Sequence, residues 1–197
     1  MAAGMTLTRR FLLTVGLAMS LSMTAALPGA APIWGAVVDM ENTIYLTTKY
    51  GRTVIKLRPD LAPKHVERIK KLVRAKFYDG LKFHRVMADF MAQTGDPNGD
   101  GTGGSKFPDL PAEFSQERFK RGTLGAARTQ DPNSANSQFF ITFTRTPHLD
   151  GLYTIFGEVV SGMEFIDALR TGARERNGMV DDPDVIKTMR LAKDSKK

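Results

Sequence analysis

The sequence predicts a mainly β fold: an eight-stranded antiparallel sheet closed into a barrel and capped by two α-helices. Three observations predict it. Eight short runs rich in β-branched, aromatic and other apolar residues are spread over Thr43–Leu191. Only two segments carry apolar residues at helical spacing. The stretches 96–113 and 129–136 are rich in Gly, Pro and Asn, as loops are. Many short strands with two helices suit a closed barrel, which leaves no sheet edge exposed.

A leader comes first. Arg9 and Arg10 precede the apolar run Phe11–Met23, small residues follow (Ala25, Ala26, Gly29, Ala30, Ala31), and no acid occurs before Asp39. This is the layout of a bacterial export signal. Residues 1–36 are therefore expected to be a signal peptide, cleaved between about 26 and 36, which leaves 37–197 as one domain with a short basic tail. Thr8-Arg9-Arg10-Phe11-Leu12 partly matches a twin-arginine signal, so Sec and Tat routes both stand. The expected location is the periplasm. The alternative is an uncleaved anchor facing it, although the apolar run is short against the ~20 residues of a spanning helix.

The first two strands are Thr43–Thr48 and Thr53–Leu57, joined by a turn at Lys49-Tyr50-Gly51-Arg52. Alternation puts Ile44 and Leu46 on one face. Pro63 opens a helix, where its missing N–H costs nothing. Val66, Ile69, Leu72 and Val73 recur at helical spacing through Ala75, with Lys70, Lys71 and Arg74 toward solvent. Further strands are expected at Lys82–Val86, Phe90–Thr94, Gly122–Ala127, Gln138–Thr142, Thr154–Val159 and Val185–Leu191. A short helix near Met163–Arg170 turns Met163, Ile166 and Leu169 inward. There is no internal repeat.

Composition excludes several classes. A chain of 197 residues with 42% hydrophobic and 25% charged residues is that of an ordinary globular domain. The net charge of +7 falls to +5 once residues 1–36 are removed. The basic residues are scattered rather than in blocks, so no nucleic-acid partner is expected. The absence of Cys removes disulfides and thiol chemistry, and suits an oxidising compartment. His65, His84 and His148 are too scattered for a metal site, and no cofactor is expected.

Three segments carry the chemistry. Phe83–Asp96 sets Arg85 and Gln93 among Phe and Met side chains, and a Gly-rich run, Asn98–Gly104, follows. Ser137-Gln138-Phe139-Phe140-Ile141-Thr142 again places an amide beside apolar bulk, and His148-Leu149-Asp150-Gly151 comes soon after. No nucleophile has its own base. An apolar pocket with one fixed cation suits a reaction in which no bond is made or broken. By alternation Met91 and Gln93 share a face, as do Gln138 and Phe140, with Phe139 and Ile141 opposite.

In order and spacing these segments resemble the cyclophilin family of peptidyl-prolyl cis/trans isomerases, over about Thr43 to Ala192. The resemblance implies Arg85 as the main catalytic residue, with Gln93 at the active site beside it. It implies a proline pocket of Phe90, Met91, Phe140 and Leu149. Substrate contacts at Ala127, Arg128, Gln138, His148 and Tyr153 are likewise implied. His84 is implied to be a supporting neighbour, since the reaction transfers no proton. The expected partners are proline-containing polypeptides and folding intermediates, and the expected state is a monomer. His148 lies where many eukaryotic members carry Trp, a residue important for cyclosporin, so weak cyclosporin binding is expected. Tyr153 falls where those members carry His, and Arg128 where they carry Asn. Ala127–Ser134 looks like the bacterial branch. The rival class is a chaperone-like binder that holds proline-containing segments with little turnover.

Overall fold

Thr43–Thr47 (β1) and Arg52–Leu57 (β2) form the expected hairpin in the computed structural model, which describes Met1 and residues 39–195. Apart from Met1, the expected leader lies outside those residues. The strands pair antiparallel, with Ile44 opposite Ile55. Ile44 and Leu46 both point inward and are fully buried.

Pro63–Arg74 (α1) follows and buries Val66, Ile69, Leu72 and Val73. Burying each of these side chains contributes about 1.5–3 kcal/mol. The residue before the helix, Ala62, has no side-chain oxygen with which to cap it. Glu113, from a distant loop, does this instead. Its carboxylate accepts the N–H of Lys64 at 3.1 Å and of His65 at 3.0 Å, and lies 2.6 Å from His65 Nδ1. Burial pushes the His65 pKa down, although Glu113 opposes this. The ring is therefore neutral near pH 7, and Nδ1–H donates to the carboxylate. Burial alone would raise the Glu113 pKa, but the hydrogen bonds from His65 and Lys64 outweigh it and hold the carboxyl below its ordinary range.

The remaining elements are Arg85–Met87 (β3), Met91–Thr94 (β4), Thr123–Ala126 (β5), Phe139–Thr142 (β6), Ile155–Ser161 (β7), Met163–Asp167 (α2) and Thr188–Leu191 (β8). The eight strands make one antiparallel sheet in the order β3-β4-β6-β5-β7-β2-β1-β8. α1 packs against β7 and β8, and α2 against β2. Ile166 and Leu169 are buried as expected, whereas Met163 is only partly so.

The sheet corrects the expectation of a closed barrel. It curls into a half-barrel whose end strands, β3 and β8, share no ladder. The chain just before β8 interrupts the ladder. Pro183 has no N–H to give, and the predicted strand from Val185 begins only at Thr188. The seam is crossed locally, by an isolated bridge between Lys82 and Val185 and by bonds such as Phe83 N–H to Asp184 O at 2.8 Å. The outer edge of β3 is covered by the segment 172–180: Val86 donates to Gly178 O at 2.8 Å, and Gly172 to Val86 O at 2.9 Å.

The Glu113 cap generates two predictions. Glu113→Ala should lower stability by about 1–2 kcal/mol, measured by urea unfolding. His65 binds its proton less readily folded than unfolded, so its contribution is complete above ~6.5 and is lost as pH falls below that value. Glu113 adds a loss in the same direction at lower pH, as its carboxylate protonates. The thermal midpoint should therefore drop from about pH 7 to about pH 5, and His65→Gln should flatten the drop; an unchanged slope in that variant would reject this account.

Candidate active site

Four neighbouring strands lay one row of side chains across the sheet. Arg85 pairs with Gln93, Gln93 with Phe140, and Phe140 with Gly125. Directly opposed residues on antiparallel strands share a face. The adjacent row, Val86, Ala92, Ile141 and Leu124, points the other way and is fully buried in the main core. Phe139 joins that core, as alternation predicts.

On the outer face a second apolar group gathers Met91, Phe119, Phe140, Leu149 and Ile155, with Met87, Phe90, Ala127 and Tyr153 against it. Phe140 stacks on Phe119 with centroids 5.7 Å apart, and Tyr153 meets it edge-on at 5.7 Å. Gly125 makes that stack possible: a Cβ there would lie 2.8 Å from ring carbons of both Phe119 and Phe140. A cavity of about 90 Å³ opens over this group, lined by Arg85, Phe90, Met91, Gln93, Ala127, Arg128, Phe140, Leu149 and Tyr153.

Arg85 is the cation of this cavity. Its Nε donates to the Asn177 carbonyl at 2.9 Å, Nη2 to Asn177 Oδ1 at 2.9 Å, and Nη1 to Gln93 Oε1 at 3.2 Å. Nη2 also approaches Met87 Sδ at 3.2 Å. None of these acceptors is charged. Neither Asp89 nor Asp96, the two carboxylates of its own sequence motif, pairs with Arg85. Half-burial lowers the Arg85 pKa and the Tyr153 hydroxyl works against it, yet a guanidinium stays cationic.

Gln93 Nε2 donates to Gln138 Oε1 at 2.8 Å, and Gln138 Nε2 donates to the carbonyls of Gly101 at 3.0 Å and Gly103 at 2.8 Å. Gln138 thus lies beside the small cavity, in a larger one of about 360 Å³ that also meets Gln93, Ala127, Arg128 and the Gly101–Ser105 backbone. Arg128 turns its guanidinium over the Tyr153 ring at 4.4 Å and donates to Leu152 O at 2.9 Å. His148 is exposed; its ring packs on the far side of Phe90 at 5.4 Å and faces a separate cavity. His84 is buried and reaches neither Arg85 nor the cavity.

The family model for cyclophilin type peptidyl-prolyl cis-trans isomerase/CLD matches residues 43–191. The chain belongs to that family. It is a cyclophilin-type peptidyl-prolyl cis-trans isomerase, an enzyme whose chemistry is rotation about a peptide bond. It is 50% identical over 190 residues to the Brucella suis protein named "Probable peptidyl-prolyl cis-trans isomerase", covering 91% of this chain and 97% of that one. It is 40% identical over 132 residues to peptidyl-prolyl cis-trans isomerase-like 3 of Rattus norvegicus, covering 64% and 81%. Cyclophilin AquaCyp293 from Hirschia baltica superposes with a TM-score of 0.72 at 25% identity, covering 81% of this chain and 77% of that one. A Cryptosporidium parvum cyclophilin, crystallised in the presence of the dipeptide Ala-Pro, gives 0.70 at 29% identity, covering 76% and 98%.

All the expected catalytic and substrate-contact residues except Gln138 and His148 line this small cavity. Three residues that support the cavity lining carry no clear signal in the sequence. Phe119 backs Phe140 from an irregular segment with no periodicity to betray it. Asn177 sits in the left-handed region at φ 55, and only the Asn-Gly pair hinted at a special turn there. Gly125 was read simply as part of a strand. Gly125→Ala should displace both rings at a cost of about 1–3 kcal/mol in stability. It should also raise KM for a proline peptide several-fold; an unchanged KM would show that the Phe119–Phe140 stack does not shape the pocket.

Proposed function

We propose that Arg85 is the catalytic residue of this isomerase and that the cavity over Phe90, Met91, Phe140 and Leu149 receives the proline ring. One observation carries this reading: a guanidinium fixed by uncharged acceptors at the rim of a small cavity that opens over an apolar group. The X–Pro barrier is near ~18–20 kcal/mol because the nitrogen lone pair is delocalised into the carbonyl. Rotation removes that delocalisation and leaves the nitrogen pyramidal and basic. A donor aimed at that nitrogen binds the twisted state better than either planar state. Acceleration of about 10⁵-fold needs roughly 7 kcal/mol of such preference. A charge-assisted bond supplies part of this, and apolar surroundings that exclude water strengthen it.

Gln93 positions the guanidinium. Ala127, Arg128, Gln138 and Tyr153 contact the polypeptide around the proline, and His148 borders it beyond Phe90. The substrates are X–Pro segments of extended or partly folded chains; the Ala-Pro dipeptide of the Cryptosporidium structure supports that class. His148 in the place of a Trp makes cyclosporin binding weak. We further propose that the protein is a bacterial, exported member of its family, acting as a monomer on folding proteins in the periplasm. Arg9-Arg10, the apolar run after them and the lack of Cys support export, and the covered edge of β3 supports a monomer.

Arg85→Ala should lower kcat/KM by about 10²–10³-fold on an X–Pro peptide followed by NMR exchange. Arg85→Lys should not restore it, since one ammonium cannot keep the planar, multiply held geometry. Peptide binding by the wild type without accelerated exchange would overturn the reading in favour of a proline-segment chaperone. Export predicts a mature N-terminus between about residues 27 and 37 in protein from the periplasmic fraction, read by intact mass. A full-length cytosolic product would reject it.

A further inference from the structure

We infer that Asp96, which lies outside the cavity, is a positioning residue for Arg85 and acts through the Gly-rich loop 97–104. The inference rests on the isomerase reading above. Asp96 is only 1% exposed, and its carboxylate accepts three backbone N–H groups. Asn98 donates to Oδ1 at 2.8 Å, and Asp100 and Gly101 donate to Oδ2 at 3.0 and 2.5 Å. The loop is thus folded around one buried anion. What this folding presents outward is a pair of carbonyls, Gly101 O and Gly103 O, and both accept from Gln138 Nε2.

Those two carbonyls decide how every later group is oriented. A side-chain amide has a donating end and an accepting end. Because Gln138 must turn its NH₂ toward the loop, its Oε1 faces Gln93. Gln93 must then present its own NH₂ to Gln138, which leaves its Oε1 toward Arg85 Nη1. Turning Gln93 over would set its NH₂ against the guanidinium, and turning Gln138 over would set its NH₂ against that of Gln93 and its oxygen against the loop carbonyls. The orientation of the acceptor that holds Arg85 is therefore set by loop carbonyls two residues away along the chain of hydrogen bonds, and those carbonyls are set by Asp96. Tyr78 and Ser137 brace the same corner. Tyr78 donates to Ser137 O at 3.0 Å, and Ser137 Oγ to Gly95 O at 2.7 Å.

A double-mutant cycle tests the relay. Asp96→Asn replaces the carboxylate without changing its size, and Gln138→Met cuts the relay downstream while leaving the three hydrogen bonds to Asp96 in place. Wild-type turnover of an X–Pro peptide by NMR exchange tests the isomerase reading separately, before either variant is compared. Each single variant should lower kcat by about tenfold with a smaller change in KM, and should shift the side-chain amide resonances of Gln93. The double variant should be no worse than the more impaired single, because both cut one path. Two independent, multiplying losses would overturn the inference, as would Asp96→Asn with normal kcat and an unmoved Gln93 amide. If Asp96→Asn does not fold, Asp96→Ser, which keeps an acceptor without the charge, takes its place in the cycle: normal kcat with an unmoved Gln93 amide overturns the inference, and a shifted amide with a reduced kcat that Gln138→Met does not worsen supports it.

Discussion

The pairing register of β3, β4, β6 and β5 is the constraint on which the rest of the structure depends. One row across these strands is Val86, Ala92, Ile141 and Leu124, and the row beside it is Arg85, Gln93, Phe140 and Gly125. A slip of one residue would exchange their faces. It would carry a guanidinium and an amide into a core that holds no partners for them, at a cost of several kcal/mol for the charge alone. Burial of the apolar row thus fixes where Arg85 stands, and the same contacts that stabilise the sheet place the site.

The neutrality of the Arg85 contacts is the second requirement. Several arginines elsewhere in the structure are held by carboxylates: Arg58 by Asp60, Arg121 by Asp167, Arg190 by Asp79. A carboxylate holds a guanidinium more firmly but cancels its field. Arg85 is held instead by a backbone carbonyl, two amide oxygens and a thioether, which fix its direction and leave its charge whole. Partial burial then makes that charge act at a lower effective dielectric than water would allow. A cation needed for a substrate nitrogen is better oriented by dipoles than paired with an ion.

Most of this was legible in the sequence where a short period governs it. Strand alternation correctly separated Phe139 and Ile141 from Phe140, and helical spacing gave α1 and its buried face. The motif around Arg85 supplied Phe90, Met91 and Gln93 of the cavity lining, and the resemblance to cyclophilins supplied Ala127, Arg128, Phe140, Leu149 and Tyr153. What was not legible depends on contacts between distant segments. Glu113 caps a helix that begins fifty residues earlier, Phe119 backs Phe140 from irregular chain, and Asn177 reaches Arg85 from the far side of β3. The barrel was misjudged for a related reason. Eight strands suggest closure, but whether the two end strands of the sheet, β3 and β8, meet depends on Pro183 and on how residues 80–84 lie, and neither has a periodic signal.

The segment that covers the open edge joins these two lessons. An unpaired β3 would offer its N–H and C=O groups to any other strand, a hazard for a protein that handles extended chains. Residues 172–180 remove it by pairing with both sides of Val86, and Val180 donates to His84 O at 3.0 Å. To do so the chain must turn sharply at Asn177 and Gly178, both at positive φ, and Asn is among the few residues with a side chain that tolerate this. That turn delivers the Asn177 carbonyl and side-chain oxygen to Arg85. Protection of the edge and fixation of the guanidinium are thus one structural act. The half-barrel's failure to close leaves room for a segment that a continuous ladder between β3 and β8 would have displaced.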